Sequence, residues 1–233
     1  AFYGDGLRKY ILPNAFTAEN RLKEIQSMYV PFWLFDSKVY ARASFHAESD
    51  SVHETADEII TETRHYSCER SGSMAFERIP VDGSERMDDQ YMESIEPFDY
   101  SALVPFSAAY FTGHLADKYD VDAEQSAPRA DKRVHESAVG VLEDTVTGYD
   151  RCALDGEASV IKEDGSVSYA MVPVWILTTR YKDKPYTFMM NGQTGKVVGS
   201  VPIDKAKVML YSVISAVLSI PVFYYLAKYL LSD

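Results

Sequence analysis

The sequence predicts an α+β protein: two helix-on-antiparallel-sheet units followed by one C-terminal transmembrane helix. Three observations predict it. The chain closes on twenty uncharged residues, Val208 to Ala227. A proline-tryptophan phrase occurs twice, as Val30-Pro31-Phe32-Trp33-Leu34 and as Val172-Pro173-Val174-Trp175-Ile176. Between these, helix-period stretches alternate with strand-rich pairs joined by glycine-containing turns. The implied division is a first unit with its connector over 1–106, a second unit over 107–204 and an anchor over 205–233.

A first helix is expected over Thr17 to Met28, where Leu22, Ile25 and Met28 recur at three-residue spacing. The first tryptophan phrase and Val39 to Phe45 follow as strands. Ile59 to Glu69 and Met74 to Pro80 read as a hairpin turning at Arg70-Ser71-Gly72-Ser73. The stretch Asp82 to Tyr119 mixes acids with Tyr91, Met92, Ile95, Phe98, Tyr100, Leu103 and Phe106, so it packs as short helices and an ordered connector. A longer helix starts at Asp122, an N-cap type with Glu124 in the first turn. Its apolar face is Val134, Ala138, Val141, Leu142 and Val146, and Gly148 is its stop. Ala158 to Lys162 and Val167 to Tyr181 read as a second hairpin, because Asp164-Gly165 can supply the positive φ of a tight turn. A third hairpin joins Tyr186 to Met190 with Lys196 to Val201 through Asn191-Gly192-Gln193-Thr194-Gly195. The two tryptophan phrases, each following a helix candidate, suggest an internal duplication.

At ~1.5 Å per residue the terminal run has the length of a ~30 Å hydrocarbon core. Tyr211, Tyr224, Tyr225 and Tyr229 suit interfacial belts, and Pro221 is tolerated in a bilayer-spanning helix. Lys196, Lys205 and Lys207 precede the run and Lys228 alone follows it closely, which predicts a single-pass cell-membrane protein with its body in the cytoplasm.

The formal net charge is −12, and the tail from Lys205 onward is itself basic, so the body before it is more acidic still. Such a body repels phosphate backbones, and no cluster of Lys or Arg interleaved with aromatics offers a nucleic-acid surface. Cys68 and Cys152 stand far apart, outside any CxxC, and read as free thiols of a reducing compartment.

Motifs that carry chemistry are incomplete. Gly192-Gln193-Thr194-Gly195-Lys196 lacks the first glycine and the final hydroxyl of a phosphate loop, with Met190 and Val197 at those places. His46, His53, His65, His114 and His135 form no HExxH and no zinc-ligand spacing, although the first three could converge if their strands pair. The acids Asp117, Asp120, Asp122 and Glu124 lack the glycine and terminal glutamate of a calcium loop. Asp88-Asp89, Glu93 and Glu96 have no activating partner, and there is no GxSxG. His65 and Cys68 share one strand without the geometry of a base and nucleophile. The sequence therefore identifies no catalytic, cofactor-binding or metal residue. As interaction candidates it offers Trp33, Trp175, Asp36, Glu62 and His65, with the tryptophans weighed as core residues too.

Five ordered phrases carry a resemblance: YVPFWLFD (Tyr29 to Asp36), IPVDGSERMDD (Ile79 to Asp89), MESIEPFDYSALVPF (Met92 to Phe106), LADKYDVDAEQS (Leu115 to Ser126) and MNGQTGKVVGSVPID (Met190 to Asp204). Over residues 1–204 the chain resembles a family of uncharacterised bacterial proteins, common in Gram-positive bacteria. Its full-length members carry an N-terminal cysteine-rich zinc ribbon and end in hydrophobic helices. Members are labelled as zinc-ribbon proteins of the transcription-factor-B type or as relatives of the replication-restart helicase. This chain has no CxxC, so the resemblance implies zinc only in a full-length member and no cofactor here. The NGQTGKVVG hairpin also resembles PepSY and cystatin-like modules, which bears on fold alone.

The function expected is that of a membrane-anchored cytoplasmic protein-interaction or scaffold module, with the membrane engaged through Val208 to Ala227 and a protein partner. Two alternatives stand beside it. One is a small-molecule sensor or enzyme with a site between the two sheets, using His65, Asp36 or Glu62. The other is a nucleic-acid-linked role through a ribbon outside this chain.

Overall fold

The computed structural model describes residues 24–54, 58–163, 165–182 and 184–230. They divide into two compact units, one made of residues up to Met28, Gln90–Pro97 and Val174 onward, the other of Tyr29–Asp89 and Phe98–Pro173. Among the described residues strand outweighs helix, so β-structure dominates. This corrects the expected pair of helix-on-sheet units: among the described residues only three α-helices form, and the strands are longer than the sequence suggests.

The larger unit is built on β1 (Glu24–Glu54) and β2 (Ile59–Asp82), which pair antiparallel from Phe32↔Asp82 to Glu54↔Ile59 with an irregularity between Phe35 and Ser37. The expected hairpin at Arg70–Ser73 does not form. Ser71, Gly72 and Ser73 pair with Arg42, Ala41 and Tyr40 of β1, and the continuous partner keeps the segment extended through its turn-like residues. Of the expected first helix, Glu24–Met28 belongs to β1, and residues 17–23 lie outside the described residues.

β4 (Arg151–Leu154) and β5 (Ser159–Glu163) both pair with β1, on the edge that β2 leaves open, and β6 (Val167–Tyr181) is the next neighbour of β1. The predicted β5–β6 hairpin is thus one interrupted course along β1. Asp164 of the expected turn lies outside the described residues, and Gly165 is required there by a close approach: a Cβ on it would lie 1.8 Å from the Asp36 carbonyl oxygen. A short strand β3 (Leu115–Ala116) also pairs with β1.

One face of β1 is apolar. Val39, Ala41, Ala43, Phe45 and Ala47 alternate inward with Cys68 of β2 and meet Val134, Ala138, Leu142 and Val146 of the helix α2 (Ala123–Asp144). The small alanines let the helix approach the sheet closely. α2 starts as expected, with Asp122 and Gln125 exchanging backbone and side-chain bonds in a capping box. It ends at Thr145 rather than at Gly148. Trp33 is half-buried, donates Nε1–H to the Val121 carbonyl at 2.9 Å and stacks edge-on with Tyr119 and Tyr169.

In the smaller unit, the latter part of β6 pairs with β7 (Lys184–Asn191), which pairs with β8 (Val197–Gly199). This is the third hairpin the sequence predicts. Leu177 and Phe188 form its core with Tyr186 and Val201. Asn191 is wholly buried; it donates to the carbonyls of Ile95 and Pro97 and accepts from the amides of Gln193 and Thr194. It thereby joins the turn to the end of the short helix α1 (Asp89–Ile95).

The terminal run is helical, as α3 (Lys205–Leu230), with Met209, Val217, Leu218 and Ile220 exposed. Among the described residues, however, no helix is long and apolar enough to cross a membrane. Tyr211, Ser212, Ser215 and Ser219 interrupt the apolar side chains of this helix with hydroxyls. The expected single-pass anchor through Val208 to Ala227, its cell-membrane localisation and its cytoplasmic orientation are corrected accordingly.

Candidate functional site

The second face of β1 is polar, and it gathers the one cluster of potential metal ligands found among the described residues. Strand alternation places His46, Glu48 and Asp50 of β1 on the face opposite Phe45 and Ala47. Register then brings up the neighbours: on β2, His65 stands opposite Glu48 and Thr63 opposite Asp50; on β4, Arg151 stands opposite Glu48.

Three donor atoms converge. His46 Nε2 and His65 Nδ1 are 3.1 Å apart, His65 Nδ1 and Glu48 Oε1 are 3.3 Å apart, and His46 Nε2 and Glu48 Oε1 are 3.5 Å apart. The triangle is nearly equilateral. Donors ~2.0–2.1 Å from a tetrahedral ion would stand roughly 3.3–3.4 Å from one another, so the three atoms already have the separation such an ion requires. The histidine rings stack at 29°.

The second oxygen of Glu48 is taken. Arg151 Nε donates to Oε2 at 2.6 Å, and the same guanidinium pairs with both carboxylate oxygens of Asp50, at 2.8 and 3.1 Å. Asp50 also accepts from the Thr63 hydroxyl at 2.7 Å, and its backbone N–H donates to Asp150 Oδ2 at 2.7 Å. The bond from Arg151 holds the Glu48 carboxyl below the usual carboxylate range, and the Thr63 hydroxyl followed by Arg151 does the same for Asp50. Glu48 is therefore an anionic donor at neutral pH, as coordination demands.

Of the interaction candidates only His65 belongs to this cluster, where it meets His46, one of the histidines the sequence groups with it. Glu62 is exposed, lies on the opposite face of β2 by alternation and pairs with Arg64 at 3.0 Å. His53, which the sequence groups with His46 and His65, pairs with Ile60 and has the face parity of Phe45. Asp36 sits at the β1 irregularity, accepts from the Arg78 amide at 2.9 Å and the Ser166 hydroxyl at 2.5 Å, and is held below the usual carboxylate range chiefly by Ser166. That arrangement fixes the backbone, with Arg78 at φ 56°. Trp33 packs in its aromatic cluster. Trp175 belongs to the other unit and is 37% exposed, lining an apolar groove with Ile25, Leu177, Phe188 and Met189. Sequence reasoning missed Glu48, Asp50 and Arg151. The His46-x-Glu48 spacing was the available signal, since i and i+2 share a strand face.

Comparison with known proteins adds a relative without a stated activity. Over 202 residues the chain is 37% identical to the uncharacterized protein YdjG of Bacillus subtilis (strain 168), an alignment covering 85% of this chain and 58% of that one. The chain thus spans less than two thirds of that relative's length. No family model matches, and no solved structure matches. Nothing in these matches bears on a zinc ribbon.

Proposed function

We propose that the protein binds a divalent metal ion through His46, Glu48 and His65. The carrying observation is the triangle of donor atoms at 3.1, 3.3 and 3.5 Å. Two imidazoles and one carboxylate form a known catalytic ligand set, with further positions left for water or a substrate. The reading belongs to the sensor-or-enzyme class, but its site lies on one face of β1, β2 and β4 and not between two sheets.

Equilibrium dialysis with zinc tests it. One equivalent should bind the full chain, and the His46→Ala/His65→Ala double variant should lose it while its circular dichroism is unchanged. Undiminished zinc in that variant removes the reading.

A protein-interaction role is the second reading, supported by β2. This strand of 24 residues ends the sheet order, and one of its edges has no strand partner among the described residues. Such an edge can accept an extended peptide by strand addition. Unchanged hydrogen exchange at the β2 amides in a recovered complex would dismiss strand addition.

A further inference from the structure

We propose that Arg151 determines which ion the site accepts, favouring a compact, nitrogen-seeking ion of the zinc type and turning away calcium. This rests on the metal-binding reading above. Glu48 is flanked on β1 by His65 on one side and Arg151 on the other, and its two oxygens are divided between them. Oε1 faces the imidazole nitrogens, whereas Oε2 is held by Arg151 at 2.6 Å. A carboxylate divided in this way has one oxygen to give.

That constraint separates the ions. Zinc is satisfied by three protein donors of mixed nitrogen and oxygen type plus water. Calcium takes 6–8 oxygen donors and commonly a bidentate carboxylate, and it gains little from imidazole. The neighbouring carboxylate cannot supply the missing oxygens. Both Asp50 oxygens engage Arg151, and Oδ1 also accepts from Thr63. Arg151 pairs with both carboxylates, so Asp50, Arg151 and Glu48 form a relay that orients a ligand from behind. Carboxylate ligands are generally tuned by such outer partners. Arg151 touches no ion in this arrangement and acts as a positioning residue.

The relay makes a spectroscopic prediction. With Arg151 in place, cobalt(II) used as a probe should be four-coordinate and give strong visible absorption. Without it, Glu48 can turn both oxygens to the ion, raising the coordination number and weakening the bands.

The experiment titrates the full chain, Arg151→Ala, Arg151→Lys, Asp50→Asn and His46→Ala with cobalt(II), then with zinc by displacement and calcium by calorimetry. The native chain should show strong cobalt bands, displaced by zinc, and no calcium binding. In Arg151→Ala, zinc affinity should fall about 10–100-fold, the cobalt bands should weaken and calcium binding should become measurable. Arg151→Lys should lie between the two. Asp50→Asn, which loosens Arg151 while leaving Glu48 and both histidines untouched, should move every readout the same way by less, and it decides the matter if Arg151→Ala does not fold. Cobalt spectra and zinc affinity unchanged in the folded Arg151 and Asp50 variants would overturn the inference while leaving the metal site standing. Failure of the native chain to bind cobalt or zinc better than His46→Ala would overturn the metal reading itself.

Discussion

Two stretches of β1 solve burial differently. From Val30 to Phe35 nearly every side chain is buried, and Trp33 alone is half-exposed. From Lys38 to Ala47 burial alternates, with Val39, Ala41, Ala43, Phe45 and Ala47 inside and Lys38, Tyr40, Arg42 and His46 outside. The first stretch is covered on both faces and has no surface on which to build chemistry. The second has a free face, and there the polar residues could be arranged by function without cost to the core. The candidate metal site lies on that free face, directly behind the α2 contact.

Substitutions along the alternating stretch sharpen or break this contrast. Phe45→Ala removes the largest inner side chain of the β1–α2 contact and should cost ~3–5 kcal/mol in denaturant unfolding. Ala43→Leu should cost about 1–3 kcal/mol by overpacking against α2, and a neutral result would show that the helix is not closely seated. Asp122→Ala, which removes the α2 cap but touches neither face, should cost ~1 kcal/mol. His46→Ala on the free face should change stability by no more than ~0.5 kcal/mol while abolishing metal binding. A loss from His46→Ala comparable to that of Phe45→Ala would mean that the two faces are not independent.

The fully covered end makes a pH prediction. Asp82, opposite Phe32, is 2% exposed, and burial, moderated by Arg129 and reinforced by Asp89, pushes its carboxyl above the usual range. The folded state therefore binds that proton more tightly than the unfolded chain. Its stabilising contribution is present below the ordinary carboxylate pKa, about 4, and is lost as pH rises through the raised folded value. Denaturant unfolding across that window should show native stability falling with pH, and Asp82→Asn should flatten the limb. Glu48 and Asp50 behave in the opposite sense: their lowered values place stability above the ordinary range, lost as pH falls through the folded values.

Legibility in the sequence followed the range of the interactions involved. The α2 cap could be read because Asp122 and Gln125 are three residues apart and satisfy each other. The β7–β8 turn could be read because Asn191 and Gly195 act within a few bonds, Gly195 at φ +72°. The β2 hairpin was misread because Ser71-Gly72-Ser73 has local turn chemistry, and the competing partner, Tyr40 to Arg42, is distant in sequence. The same limit hid the site. His46 and Glu48 share a face by strand period alone, but nothing local joins them to His65 or to Arg151, which lies 103 residues from Glu48.

By itself, then, the sequence determined the acidic balance, a strand over Val39 to Phe45, the capped start of the long helix and the third hairpin, since each depends on composition or on neighbours along the chain. Only the tertiary structure decided that β2 runs unbroken, that β4 and β5 pair with β1, and that one carboxylate stands between two histidines and an arginine. The physical reason is register: a strand specifies which side chains share its face, and only pairing specifies which foreign side chains stand beside them.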